Sequence, residues 1–286
     1  MAAYETIHEY YLHQHRNIEN YLELCLIHPE VELVHELRLS IKKLRAFHKL
    51  AEHLSLNEID EHIHIKNRVR KLYKVAGQLR DTQVQIQLLS LFEEQTGTDH
   101  SEFSKWLLSR EKKQISRFSK NPERVVPQAT AQSTHQKIGN LLAIANDETI
   151  LDGAGKVLSG LCVKAQKLTA GEMNNRKLHR VRTITKRMRY ILNIMHHSYP
   201  DFKFNEVSIE SLRNIEAAAG HWHDNLVRVE LLSKFLDRMK FGDDSEKFKY
   251  QKLLNACKAE LHIAFNDASQ IVMNALHEEC PDSELM

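Results

Sequence analysis

Two stretches of this sequence carry the residue types that bind anions, at matching spacing. Residues 35–45 read HELRLSIKKLR and residues 179–189 read HRVRTITKRMR. Both fit a single template: His, Arg three residues on, Lys four further, a second base, one intervening residue and Arg. Arginine offers planar, bidentate donors to phosphate or carboxylate oxygens, and lysine adds a mobile point charge. On a helix turning about 100° per residue, His35, Arg38, Lys42 and Arg45 share one stripe. His179, Arg182, Lys186 and Arg189 share its counterpart. The apolar stripes Val34, Leu37, Ile41, Leu44 and Leu178, Val181, Thr185, Met188 lie one residue round, so each basic row should flank a buried face. Lys43 and Arg187 should project away from it.

A second basic segment follows the first motif. Between Ile63 and Arg80 there are six Lys or Arg and no acid, and between Asn174 and Pro200 there are seven and no acid. Lys66, Arg70, Lys74 and Arg80 cluster on one helical face, with Gly77 among them. A glycine inside a helix costs about 1 kcal/mol relative to alanine, so it implies a close approach to the backbone. Surface charges usually alternate in sign and pair at i, i+4, whereas like charges on successive turns repel by a few tenths of a kcal/mol. An anion binding across these rows would relieve that repulsion. The net charge of +2 conceals the segregation.

The elements that must position these residues are helices. The 286 residues contain only nine Gly and five Pro, and apolar residues recur at helical spacing throughout. Helices are expected near 4–26, 30–55, 58–95, 100–119, 131–145, 148–169, 174–198, 203–240 and 244–278, in an all-α fold. The two prolines of NPERVVPQAT, residues 121–130, mark a linker. The motif GQLRDTQV at 77–84 is echoed by GHWHDNLV at 220–227, an offset of 143 against 144 for the long motif. Two motifs in one order at nearly one separation point to tandem duplication, with bundles of about four helices at 1–120 and 131–286.

These paired motifs resemble the CHAD family, the conserved-histidine α-helical domain. The resemblance spans nearly the whole chain, read as a single domain over 1–286. It implies two pseudo-symmetric four-helix bundles with a basic groove or pore between them, and binding of inorganic polyphosphate. The family's basic stripes fall on His35, Arg38, Lys42, Arg45, His179, Arg182, Lys186 and Arg189. Lys66, Arg70, Lys74, Arg80 and Arg213 extend the anion-binding set by the residue reading above. The second copy departs from symmetry, with His223 where Arg80 stands and Ile209 and Ala217 where Lys66 and Lys74 stand. The anion should therefore lie off-centre.

Other function classes fit less well. Single-stranded nucleic-acid binders interleave aromatic platforms with bases, and only Tyr73, Tyr190 and Trp222 lie close to the motifs, where core packing is the commoner role. A phosphoanhydride hydrolase would need carboxylates for a divalent metal or a phosphate-cradling glycine loop, and neither accompanies the stripes. Asp81 and Asp224 read as ion-pair partners of motif bases. Eighteen histidines include HQH, HIH and HWHD, but none at metal-ligand spacing with carboxylates, so no metal, cofactor or catalytic residue is expected. His35 and His179, at matched positions, are expected either to meet or to serve as packing and hydrogen-bonding residues. The chain starts without a secretory signal and has no membrane-length apolar run, and its four cysteines lack C-x-x-C pairing. A cytoplasmic location with reduced thiols is expected, with association at polyphosphate granules.

Overall fold

The computed structural model describes residues 3–54, 67–120, 128–238, 242 and 244–278. Among them the chain forms nine α-helices and no strand. In order these are α1 (Ala3–Ile27), α2 (Val31–Leu54), α3 (Asn67–Thr96), α4 (Ser101–Ser119), α5 (Gln128–Ile144), α6 (Asp147–Thr169), α7 (Asn175–Ser198), α8 (Ile209–Arg238) and α9 (Asp244–Glu278). None of these helices is long and apolar enough to cross a membrane.

Local signals set the helix starts. Asn174 and Asn146 cap α7 and α6, their side chains accepting from Lys177 N and Thr149 N. This satisfies amides that a helix N-terminus leaves without partners. Ser208 Oγ accepts from Ser211 N at 3.0 Å, so α8 begins at Ile209 rather than at the expected residue 203. Residues 203–208 follow Pro200 and are not helical. Helix α5 starts at Gln128, three residues inside the expected linker. Residues 58–66 of the expected third helix, Lys66 among them, lie outside the described residues.

Packing brings the two halves of the chain together. The main core draws on α1, α2 and α3 together with α5, α6 and α7. Trp222 centres a second cluster, and Phe235, Tyr250 and Phe103 belong to a third. Helix α2 packs on α7 and α3 on α8, while α2 also meets α6 and α1 reciprocally meets α7. A two-fold relation between α1–α4 and α6–α9 would produce this reciprocity, and superposing α2 and α3 on α7 and α8 would test the duplication. Cys25 and Cys257 are free and buried. Cys162 is disulfide-bonded, which departs from the expectation of four reduced thiols; Cys280 lies outside the described residues.

Helix α5 seats on α1 through an unusual set of rings. Tyr11 is fully buried, with the rings of Phe47, His135, His15 and His48 at 4.8, 5.3, 5.5 and 6.0 Å. His15 and His135 are 4.5 Å apart. Gly139 leaves room for His8, since a Cβ there would lie 3.1 Å from its Cε1. Burial, then His135, pushes the His15 pKa down to about 4, and burial, then His8, lowers His135. Protons that the unfolded chain accepts near pH 6.5 are refused by these folded rings, so stability should fall as pH drops from about 6.5 to about 4. His15→Phe should flatten that part of the stability profile, measured by urea unfolding across the window.

A cationic cleft between the two halves

Helices α2, α3, α7 and α8 enclose a cleft of about 670 Å³. Its α2 wall carries His35, Arg38, Lys42 and Arg45, and its α7 wall carries His179, Arg182 and Lys186. Helices α2 and α7 pack on one another, and the apolar row beside each basic stripe is buried. Val34, Leu37, Ile41 and Leu44 are at most 2% exposed, and Leu178, Val181 and Met188 are fully buried. Thr185, also buried, satisfies its hydroxyl on Val181 O at 3.1 Å. Helix α3 adds Tyr73, Lys74, Arg80 and Asp81, and α8 adds His223 and Asp224. In all, eight Lys or Arg line the cleft against two carboxylates, a formal surplus of six positive charges.

Gly77 is buried beneath Arg38. A Cβ at Gly77 would collide with Nη1 of Arg38, and that nitrogen donates to Tyr73 O at 3.1 Å. The same guanidinium lies 4.7 Å from the Tyr73 ring centroid, and that of Arg45 lies 5.4 Å from it. The close approach that the glycine implied is therefore made by a side chain of α2. Gly220, its echo in α8, has no such neighbour within 4 Å. Arg80 Nη1 donates to Val31 O at 3.2 Å, tying α3 to the first turn of α2. Gln85 Nε2 donates to Asp224 O at 2.9 Å, joining α3 to α8.

Burial and mutual repulsion show in the lysines. Desolvation, then Lys186, Arg38 and Arg182, push Lys42 down to about 7 against the pull of Glu216. Desolvation, then Arg182, pushes Lys186 down to about 8, with Glu216 and Asp224 opposing and Arg189 adding to the repulsion. Burial also lowers Arg182, opposed first by Asp224, and Arg182 Nε is buried without a hydrogen-bond partner. Asp81 is raised by burial, with Arg38 and His223 pulling the other way. Each motif histidine answers to its own half. After burial, the strongest influence on His35 is Arg80. For His179 it is His223, whose ring lies 5.9 Å away.

The cleft gathers nine of the thirteen expected anion-binding residues: His35, Arg38, Lys42, Arg45, Lys74, Arg80, His179, Arg182 and Lys186. Arg189 is turned away into a bidentate pair with Glu216, at 2.6 and 3.0 Å, and lies over the Tyr190 ring at 4.8 Å. Arg70 and Arg213 are exposed and outside the lining. Arg187 corrects the helical-wheel expectation, since it lines the cleft while Lys43 does not. A wheel measures angles about one axis, and only packing shows that α2 brings Arg45 up to Arg187, where burial and Arg45 lower its pKa. Tyr73 is a half-buried wall residue, Tyr190 lines the wall as a buried member of the main core, and Trp222 is fully buried core. Among the described residues no group of three or more His, Cys, Asp or Glu is arranged to hold a metal ion.

The family model of the CHAD domain matches residues 9–233. This chain belongs to the CHAD domain family. Members of that family are linked to polyphosphate binding. The chain is similar to the crystal structure of the CHAD domain from the plant Ricinus communis, with 16% identity and a TM-score of 0.62 over 92% of each chain. It is also similar to PptA from Streptomyces chartreusis, with 15% identity and a TM-score of 0.60 over 94% of this chain and 100% of that one. At these identities the likeness is one of fold. No curated protein matches the sequence.

Within this CHAD domain the two glycines should respond oppositely to one methyl group. Gly77→Ala should destabilise the protein by displacing Arg38 from Tyr73. Gly220→Ala, in open space, should stabilise it by up to about 1 kcal/mol through helix propensity. Urea unfolding of both variants checks the contrast.

Proposed function

We propose that the protein binds inorganic polyphosphate, without turning it over, in the cleft between α2, α3, α7 and α8. The observation that carries this reading is the cleft's surplus of six positive charges, two of them on lysines held below their ordinary range by burial and by one another. A buried charge left uncompensated costs several kcal/mol, and a polyanion that pairs with many of these bases at once offsets that cost. Polyphosphate offers oxygens and charge with nothing to stack, and the walls match it. The ring of Tyr73 is covered by Arg38 and Arg45 and that of Tyr190 by Arg189, which leaves bases of a nucleic acid without a free platform. Asp81 and Asp224 lie among cations of both halves, a placement that favours orienting arginines over catalysis.

Five of the eight Lys and Arg belong to α2 and α3 and three to α7, so the anion lies nearer the first half. Association with polyphosphate granules would follow from the same binding. With about six bases engaged, log affinity should fall against log salt with a slope of roughly −4 to −5, at about 0.7 to 0.9 per contact. Arg182→Ala and Arg187→Ala should weaken binding and make the slope shallower, and Lys43→Ala should do little. A bound anion favours the ammonium forms, so binding takes up protons wherever Lys42 and Lys186 are neutral in the free protein. Affinity should therefore fall as pH rises above about 7. Calorimetric titration with long-chain polyphosphate, orthophosphate and single-stranded DNA at two salt concentrations tests the reading. Equal affinity for the two polymers would overturn it.

A further inference from the structure

Two amines in the cleft are placed for chemistry that anion binding does not use. Lys42 on α2 and Lys186 on α7 stand one turn beyond Arg38 and Arg182, and all four line the same cleft. Neither lysine makes a salt bridge with a described residue, although Glu216 favours the charged form of both and Asp224 that of Lys186. A lysine becomes a nucleophile when a desolvated, cation-rich setting takes its proton, and a correctly held electrophile then reacts as if at very high concentration. The guanidinium groups beside them stay charged and can grip a phosphate through paired hydrogen bonds.

We propose that Lys42 and Lys186 are covalent acylation sites for anionic acyl phosphates, whose phosphate group Arg38 and Arg182 hold. This rests on the reading of the cleft as a phosphate site. In the step, the Nζ lone pair attacks the acyl carbon and forms the C–N bond. The C–O bond to phosphate breaks, and orthophosphate leaves with the bonding pair. The proton released from Nζ passes to the departing phosphate or to water. Nothing is oxidised or reduced. Cationic arginines beside the leaving oxygens stabilise the charge that grows there. The product is a neutral amide, so acylating both lysines lowers the surplus of the cleft from six charges to four and weakens its hold on polyanions. Burial and the cations Lys186, Arg38 and Arg182 around Lys42, and Arg182 and Arg189 around Lys186, leave part of each amine neutral near pH 7 to 8. Lys43, on the same helix but outside the cleft, is the internal comparison.

The experiment incubates the full chain with acetyl phosphate at neutral pH and follows acetylation of individual lysines by peptide mass spectrometry. Lys42 and Lys186 should acetylate roughly tenfold or more faster than Lys43, the gain in neutral amine outweighing the lower intrinsic nucleophilicity of a weaker base. Their rates should level off above pH 8. Arg38→Ala and Arg182→Ala should slow the reaction with acetyl phosphate by a larger factor than the reaction with acetic anhydride, which has no phosphate to be held and registers only the smaller share of neutral amine that follows when a neighbouring cation is removed. The second reagent, with the helical circular-dichroism signal, separates lost recognition from lost folding. Acetylation of Lys43 at the same rate, or arginine variants that leave the acetyl phosphate rate unchanged, would overturn the proposal. Selective acetylation in a protein that fails to bind polyphosphate would leave the proposal standing and remove the polyphosphate reading. Polyphosphate binding without selectivity would do the reverse.

Discussion

The structure turns on keeping like charges together at the edge of a hydrophobic contact. Helices α2 and α7 pack on one another, and the basic rows beside their buried faces are carried into a common cleft. Charges of one sign would separate if their helices were free to do so. Here a shared core that takes in Leu37 and Ile41 of α2 with Met188 and Ile191 of α7 holds the helices against that repulsion. Burying a leucine- or isoleucine-sized side chain is worth about 1.5–3 kcal/mol, so a few such contacts offset several repulsive pairs. The residual cost surfaces where the chain can shed charge, in lysines that release protons near neutral pH.

The remaining features serve that arrangement. Arg38 lies on Gly77 and over Tyr73, and Arg80 reaches the first turn of α2, so the first half holds its arginines by hydrogen bonds to backbone carbonyls. In the second half Arg189 is held instead by a carboxylate, Glu216, which also faces Lys42 and Lys186. That acid tempers lysines on both walls. The asymmetry of the cleft lies in its bases, five Lys or Arg on α2 and α3 against three on α7, with His223 of the echo motif where α3 has Arg80. Outside the cleft lining, histidines serve a different end. His15 and His135 are packed as neutral rings around Tyr11, where they join α5 to α1 and make the junction sensitive to acid.

Much of this was legible in the sequence because helical periodicity is a local property. The spacing of Val34, Leu37, Ile41 and Leu44 dictates which face of α2 is buried, and the basic stripe beside it follows from the same arithmetic. The repeated eleven-residue motif and the CHAD resemblance are equally matters of chain order. Which bases face an anion was decided elsewhere. Arg189 has the right phase on its helix, yet Glu216 of α8, 27 residues on, takes it out of the cleft. Arg187 has the wrong phase and enters the lining because α2 lies where a single-helix wheel has only solvent. Arg70 and Arg213 match each other in sequence and are both left exposed. Periodicity assigns a side chain its direction about one axis, whereas the partner it meets depends on how several axes cross. That crossing is set by the summed packing of α2, α3, α7 and α8, so only the tertiary structure determined it.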